Sequence, residues 1–109
     1  MLKLDAHIHY NGNHPDCVEL LERLELKVIN VCVAHTAGEE WRERVQNYQQ
    51  LGYAYPDRYA WCTTFDPPDF APDYADRAIA GLEKDFAAGA IGCKIWKNVG
   101  MQIRKPSGE

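Results

Sequence analysis

The sequence has no run of apolar residues long enough to cross a bilayer, which argues against a membrane-spanning helix. Its first residues, from Met1 to Asp5, leave no room for the apolar stretch of a secretory signal, so we expect none. The formal net charge is only -4 with both signs mixed along the chain, and no basic stripe suited to nucleic acid is present. We therefore expect no membrane partner and no nucleic-acid partner.

Cysteine is present, but no two cysteines form a Cys-x-x-Cys pair. Of the four, Cys32, Cys62 and Cys93 lie within apolar, strand-like runs, where cysteine behaves as a small hydrophobe. The pattern favours neither a disulfide framework nor a thiolate zinc site, and we expect a reduced, cytoplasmic protein. Low-complexity segments and sequence repeats are also lacking, and a length of 109 residues allows one domain at most.

The most informative segment that is present is Asp5-Ala6-His7-Ile8-His9. Apolar and polar residues alternate up to His9, and this period of two predicts a β-strand with His7 and His9 on one face and Asp5 behind them. Two neighbouring imidazoles at the end of a strand can share one divalent metal. The alternative is an edge strand whose histidines face water. Asp5 is a candidate to orient an imidazole, or else a strand-start capping residue.

Strand-like and helix-like segments then alternate along the chain. Further strands are predicted at 28–34, 59–65 and 91–96, and the first strand is expected to be central in a parallel sheet. Helices are predicted after His14, from Gly38 until a break at 52–57, and from about Pro72 to Ala88. Their expected buried faces carry Val18, Leu21 and Leu24, then Trp41, Val45 and Tyr48, then Ile79, Leu82 and Phe86.

The strand centres lie about 30 residues apart, which is the length of one βα unit. The chain therefore reads as an α/β protein with about three βα units and a fourth parallel strand, as in the first part of a (β/α)8 barrel. A small open sheet of the flavodoxin type is the alternative. A barrel requires the strand order 1-2-3-4, whereas 2-1-3-4 would indicate the doubly wound sheet.

Two segments resemble the front part of the amidohydrolase superfamily, in its amidohydrolase-related (family 2) branch. They are Asp5-Ala6-His7-Ile8-His9 and Gly89-Ala90-Ile91-Gly92-Cys93-Lys94-Ile95-Trp96-Lys97-Asn98-Val99-Gly100-Met101. The stretch Tyr55-Pro56-Asp57-Arg58-Tyr59, before a strand ending in Phe65-Asp66-Pro67, is similar to that branch too. The resemblance implies a metal-dependent (β/α)8 TIM barrel that hydrolyses a small amide, ester or lactone, or decarboxylates a small carboxylated ring.

The resemblance also implies roles for individual residues. His7 and His9 match the family's first pair of metal ligands, and the metal is usually zinc, which activates a bound water. Lys94 lies on the fourth strand, where some superfamily members carry a carboxylated lysine that bridges two metals. A barrel-lining or anion-contacting lysine is the alternative for Lys94.

The remaining candidates follow predicted strands. Lys97 and Asn98 come after the fourth strand, where a substrate carboxylate could be held, with a solvated loop as the alternative. His35 ends the second predicted strand and could line the site, or be a hydrogen-bonded loop residue. His14 is expected at the surface, and Trp61 and Trp96 are expected to be packing residues.

The family takes further ligands and its acid–base groups from the fifth, sixth and eighth strands, which would follow residue 109. We therefore expect residues 1–109 to be the N-terminal part of a longer enzyme, inactive alone. An open fourth strand and uncovered helix faces would favour self-association, so a homo-oligomer is possible. A non-catalytic βα module, and a His-x-His barrel acting on phosphate esters or DNA ends, are the alternative functions.

Overall fold

The computed structural model describes residues 1–108, in which strands and helices alternate; Glu109 lies outside the described residues. Among these residues, no helix combines the length and the apolar character needed to cross a membrane. The elements are β1 (Lys3–Ile8), α1 (Pro15–Arg23), β2 (Leu26–Val31), α2 (Glu39–Ala54), β3 (Tyr59–Thr63), α3 (Tyr74–Ala87), β4 (Gly92–Cys93) and the short, irregular α4 (Asn98–Met101).

All four strands run parallel in one sheet, in the order β1-β2-β3-β4. The predicted α/β class and the predicted sequential order are therefore confirmed. The sheet curls into a half-barrel, which is compatible with part of a βα barrel. Since parallel neighbours need a crossover between them, each helix from α1 to α3 connects two adjacent strands.

Alternate residues of β3 show that the helices cover one face of the sheet. Tyr59 packs with residues of α1 and α2, Trp61 packs with α2, and Thr63 contacts α3. Residues two apart on a strand share a face, so these three helices lie on the same side. Ala60 and Cys62 face the other side and are only half-buried.

The core consists of two clusters of buried residues. One contains Val18, Leu21, Val28, Leu51 and Tyr59. The other contains Cys32, Ala34, Trp41, Val45, Tyr48, Trp61 and Ala90.

Helix α3 is attached to the sheet by polar contacts, which the sequence did not predict. The prediction that Ile79 and Phe86 are buried is wrong, because their side chains are 53% and 45% exposed. The buried residue of this helix is Asp85. The hydroxyl of Thr63 donates a hydrogen bond to Asp85, and the Arg42 guanidinium donates at 3.2 Å to the same carboxylate.

Both ends of the sheet differ from the prediction. Within residues 1–108, β1 pairs only with β2, so it is an edge strand and not a central one. His7 and His9 are exposed, as in the alternative interpretation. β4 keeps only Gly92 and Cys93 of the predicted 91–96, because its ladder to β3 ends there. Leu24, predicted to be buried, follows α1 as its C-cap residue and is exposed.

Helix α2 is longer than predicted, since it continues through Gly52 to Ala54. Leu51 is buried in the core at this end of the helix, and its packing offsets the cost of about 1 kcal/mol that a glycine imposes on a helix. β2 and β3 end at Val31 and Thr63, short of the predicted ends.

Replacing Asp85 by alanine should destabilise the chain by about 2–4 kcal/mol. The change leaves the buried Thr63 hydroxyl without its partner on α3 and removes the ion pair of Arg42. Urea unfolding followed by circular dichroism measures the effect. Glu83→Ala is the matched control, since Glu83 is exposed on the same helix and should change stability by less than about 0.5 kcal/mol. Equal effects of the two substitutions would contradict the polar attachment of α3.

Candidate metal centre

The two histidines of the first strand meet at the C-terminal end of the sheet. His7 is the penultimate residue of β1, and His9 directly follows the strand. Their Nε2 atoms are 3.2 Å apart, and the ring centroids are 5.0 Å apart with an interplanar angle of 80°. The structure thus brings both imidazoles to one point, as the spacing of two residues predicts.

The ring of His9 is oriented by the backbone of the neighbouring strand. Its Nδ1 lies 2.7 Å from the carbonyl oxygen of Val31, the last residue of β2. A carbonyl can only accept, so Nδ1 carries the hydrogen and Nε2 of the neutral ring has the lone pair. This is the arrangement that a metal-binding imidazole needs. The sequence could not indicate Val31, because every residue except proline offers the same backbone groups.

The side chain of Asp5 binds the backbone next to it in this structure. Its Oδ1 accepts a hydrogen bond of 3.1 Å from the backbone N–H of His7. The register between β1 and β2 shifts between Asp5 and Ile8, where the backbone of His7 leaves the regular ladder. The carboxylate therefore supports the backbone that carries the histidine pair.

The histidine pair fits two positions of a tetrahedral zinc site. Two nitrogens at about 2.0–2.1 Å from one zinc lie about 3.3 Å apart, close to the separation in this structure. Without metal, His7 must donate its Nε2 hydrogen to His9, so binding requires that hydrogen to move to Nδ1 of His7. Residues 1–108 contain no group of three or more His, Cys, Asp or Glu side chains that could hold a metal. The other ligand positions are therefore left to water or to groups outside these residues.

Two clefts meet at the histidine pair and share His9, Val33 and Trp96. The lysine cleft has a volume of about 470 Å³ and is lined by His7, His9, Val33, Lys94, Ile95, Trp96, Lys97 and Val99. The arginine cleft has a volume of about 380 Å³ and is lined by His9, Asn11, Val31, Val33, His35, Arg44, Tyr48 and Trp96.

Among the residues after β4, some line the lysine cleft and one supports the local backbone. Lys94 and Lys97 line the lysine cleft. Lys94 is half-buried and is held by its backbone, whose N–H donates to the Thr63 carbonyl at 2.8 Å. Asn98 lines neither cleft: it is buried, and its Oδ1 accepts from the backbone N–H of Val99 at 2.9 Å. Asn98 therefore supports the local backbone, and its contact with a substrate stays a prediction.

His35 lies in the loop after β2, because the strand ends at Val31 and not at His35 as predicted. Its ring packs edge-on against Trp96 with centroids 4.3 Å apart, so both residues line the arginine cleft. Trp61 is a core residue as predicted, whereas Trp96 is half-buried and exposed to both clefts.

Arg44 and Tyr48 were missed by sequence reasoning. They lie one turn apart on α2 and line the arginine cleft. Tyr48 was assigned only to the core, and no sequence pattern separates Arg44 from the other charged residues of this helix.

The cysteines and the remaining histidine do not extend the site. Burial raises the pKa of the Cys32 thiol to about 11, and it also raises the pKa values of Cys62 and Cys93. These thiols stay protonated at neutral pH, whereas a nucleophile or a zinc ligand must be a thiolate. His14 is exposed as expected and lies 3.7 Å from the carboxylate of Asp16.

The imidazole of His9 should be the tautomer with hydrogen on Nδ1 at pH 8. The Val31 carbonyl requires this form, because it can only accept a hydrogen bond from Nδ1. A neutral histidine without such a partner is not held in one tautomer. Long-range proton–nitrogen correlation spectra of the chain report the tautomer directly, with the exposed His14 as an internal reference. Hydrogen on Nε2 of His9 would contradict the orientation described above.

The chain should bind zinc only weakly, with a dissociation constant above about 1 µM, because two imidazoles leave half of a tetrahedral site unfilled. His7→Ala and His9→Ala should each remove this binding, whereas His14→Ala should leave it unchanged. Calorimetric titration measures all four proteins. Sub-micromolar, one-to-one binding that survives loss of both His7 and His9 would place the site elsewhere.

Comparisons with known proteins identify no relative of this chain. No protein-family model matches the sequence. No curated protein and no solved structure matches it either. The case for a function therefore depends on the geometry of the histidine pair and its two clefts, together with the resemblance of the motifs.

Proposed function

We propose that this chain is the first part of a metal-dependent (β/α)8-barrel enzyme of the amidohydrolase-related (family 2) type, which hydrolyses or decarboxylates a small molecule. The observation that carries the proposal is the histidine pair, whose Nε2 atoms are 3.2 Å apart at the C-terminal end of β1. The active sites of such barrels lie at this end of the strands.

The uncovered surfaces of the sheet and helices support a larger barrel. β1 and β4 are both edges of a curled sheet, and the sequential strand order allows further strands to be added at β4. A closed barrel has no edge strands. Large apolar side chains are exposed on these surfaces, namely Leu2, Leu4, Ile79, Phe86, Ile91 and Ile95. Additional βα units would bury them.

His7 and His9 would hold the metal, with zinc as the best match to two imidazoles. When bound, zinc supplies a water that ionises near neutral pH and a Lewis acid for a carbonyl oxygen. The Val31 carbonyl keeps the Nε2 lone pair of His9 directed at that position. Lys94 lines the same cleft as the pair, so its ammonium can contact an anionic part of the substrate.

In the complete barrel protein, His7→Ala and His9→Ala should each lower metal content and reduce turnover at least 100-fold while changing the thermal melt little. Both side chains are exposed at the strand end, so they contribute little to the core. Metal content is measured by plasma mass spectrometry, and turnover with a panel of aryl esters, lactones and carboxylated aromatic rings.

Ile8→Ala is the matched control because Ile8 lies between the two histidines and packs against the core below them. It should lower stability by about 1–3 kcal/mol and leave metal content and turnover of the folded protein near the original values. If the histidine variants keep metal and rate, the proposed metal centre is wrong and a non-catalytic βα module becomes the better interpretation.

A further inference from the structure

We infer that the substrate of this site carries two separate anionic groups, one held by Lys94 and Lys97 in the lysine cleft and one held by Arg44 in the arginine cleft. The inference rests on the proposed function, because it assigns the substrate class of that same site. A dicarboxylate is the simplest ligand of this kind.

The charge of the cleft walls is opposite to that of the whole chain. The sequence has 16 acidic and 12 basic residues, yet the two clefts are lined by one arginine, two lysines and no aspartate or glutamate. A cleft lined by charges of one sign attracts ligands of the other sign and raises their local concentration. The walls are therefore suited to an anionic substrate.

The lysine cleft presents ammonium groups without a counter-charge. Neither Lys94 nor Lys97 has an ion pair or a side-chain hydrogen bond to another group in residues 1–108. Lys94 is half-buried and lines the cleft beside the histidine pair, so a ligand anion bound there can reach it. A ligand carboxylate beside the histidine pair would supply the counter-charge.

The arginine cleft offers a guanidinium that can exchange its partner. Arg44 donates from Nη2 to the Glu40 carboxylate at 2.7 Å, and Glu40 is 76% exposed. An exposed pair four residues apart on a helix contributes at most about 0.5 kcal/mol, so a ligand can displace it. The planar guanidinium can then bind a carboxylate through two parallel hydrogen bonds.

Apolar surface connects the two charged regions. Val33 and Trp96 line both clefts, together with His9. A ligand that spans the clefts would place its carbon skeleton on these side chains and an anionic group at each end. A ligand with one anionic group would fill one cleft and leave the cation of the other without a partner.

The probes for the test are isophthalate, benzoate and phenyl phosphate, titrated into the metal-free chain in 20 mM salt and followed by proton–nitrogen correlation spectra. Isophthalate should bind at least tenfold more tightly than benzoate. Raising the salt to 200 mM should weaken the binding of isophthalate more than the binding of benzoate. Phenyl phosphate carries both of its negative charges on one group, so it should bind less tightly than isophthalate. Tighter binding of phenyl phosphate than of isophthalate would overturn the two-group assignment.

Arg44→Gln and Lys94→Gln should each reduce the affinity for isophthalate to that for benzoate, whereas Arg44→Lys should retain part of the preference. Lys84→Gln is the control, because Lys84 is an exposed cation on α3 that lines neither cleft. The inference is overturned if benzoate and isophthalate bind equally, or if Lys84→Gln has the same effect as the two cleft variants. If a variant fails to fold, the comparison of isophthalate with benzoate and phenyl phosphate on the unaltered chain still tests the inference.

The failure of this inference and that of the proposed function are distinguishable. The probes are unreactive and are measured without metal, so anion preference does not depend on zinc binding or turnover. Suppose that the histidine variants lose metal but the unaltered chain shows no preference for isophthalate. The proposal of a metal-dependent enzyme would then be retained, and the dianionic substrate would be rejected.

Discussion

The hydrogen bond between the His9 imidazole and the Val31 carbonyl joins the sheet to the candidate metal centre. It forms only because β1 and β2 are parallel neighbours whose C-terminal ends lie at the same edge. The pairing is reinforced where the chain leaves β1, since the side chain of Asn30 accepts from the backbone N–H of Tyr10 at 2.8 Å. A slip of one residue would turn the histidines to the opposite face of the sheet. The register of these two strands therefore determines whether a site exists.

The helix-covered face of the sheet and its C-terminal edge have different roles. One face carries α1, α2 and α3 and contains the buried apolar clusters. The C-terminal edge carries the histidine pair and the clefts that share His9, Val33 and Trp96. Substitutions in the clusters should act on stability, whereas those at the edge should act on binding. This separation lets barrel proteins vary their chemistry on a retained scaffold.

Much of the fold could be predicted because it depends on local periodicity. The period of two before His9 and the apolar spacing of Trp41, Val45 and Tyr48 were sufficient for β1 and for the buried face of α2. Prediction failed where burial depends on what lies beside an element. Apolar residues do recur at helical spacing in α3, but nothing in residues 1–108 packs closely enough on that face to bury Ile79 or Phe86.

The candidate site was predictable to a similar extent. The histidine pair follows from spacing within one strand, so it needs no knowledge of neighbours. The Val31 carbonyl and Arg44 reach the site only through the packing of other elements, and neither carries a distinctive sequence signal. The bond of Asn98 to the backbone N–H of Val99 has no sequence signal either, because many polar residues that follow a strand can turn inward in this way.

The attachment of α3 through Asp85 has a consequence for biosynthesis. Directional bonds from Thr63 and Arg42 determine how the helix is rotated against the sheet. As the nascent chain leaves the ribosome, Ile79 and Phe86 would then be displayed to water in a defined row. Such a row of exposed apolar side chains is a surface that chaperones recognise and that promotes aggregation.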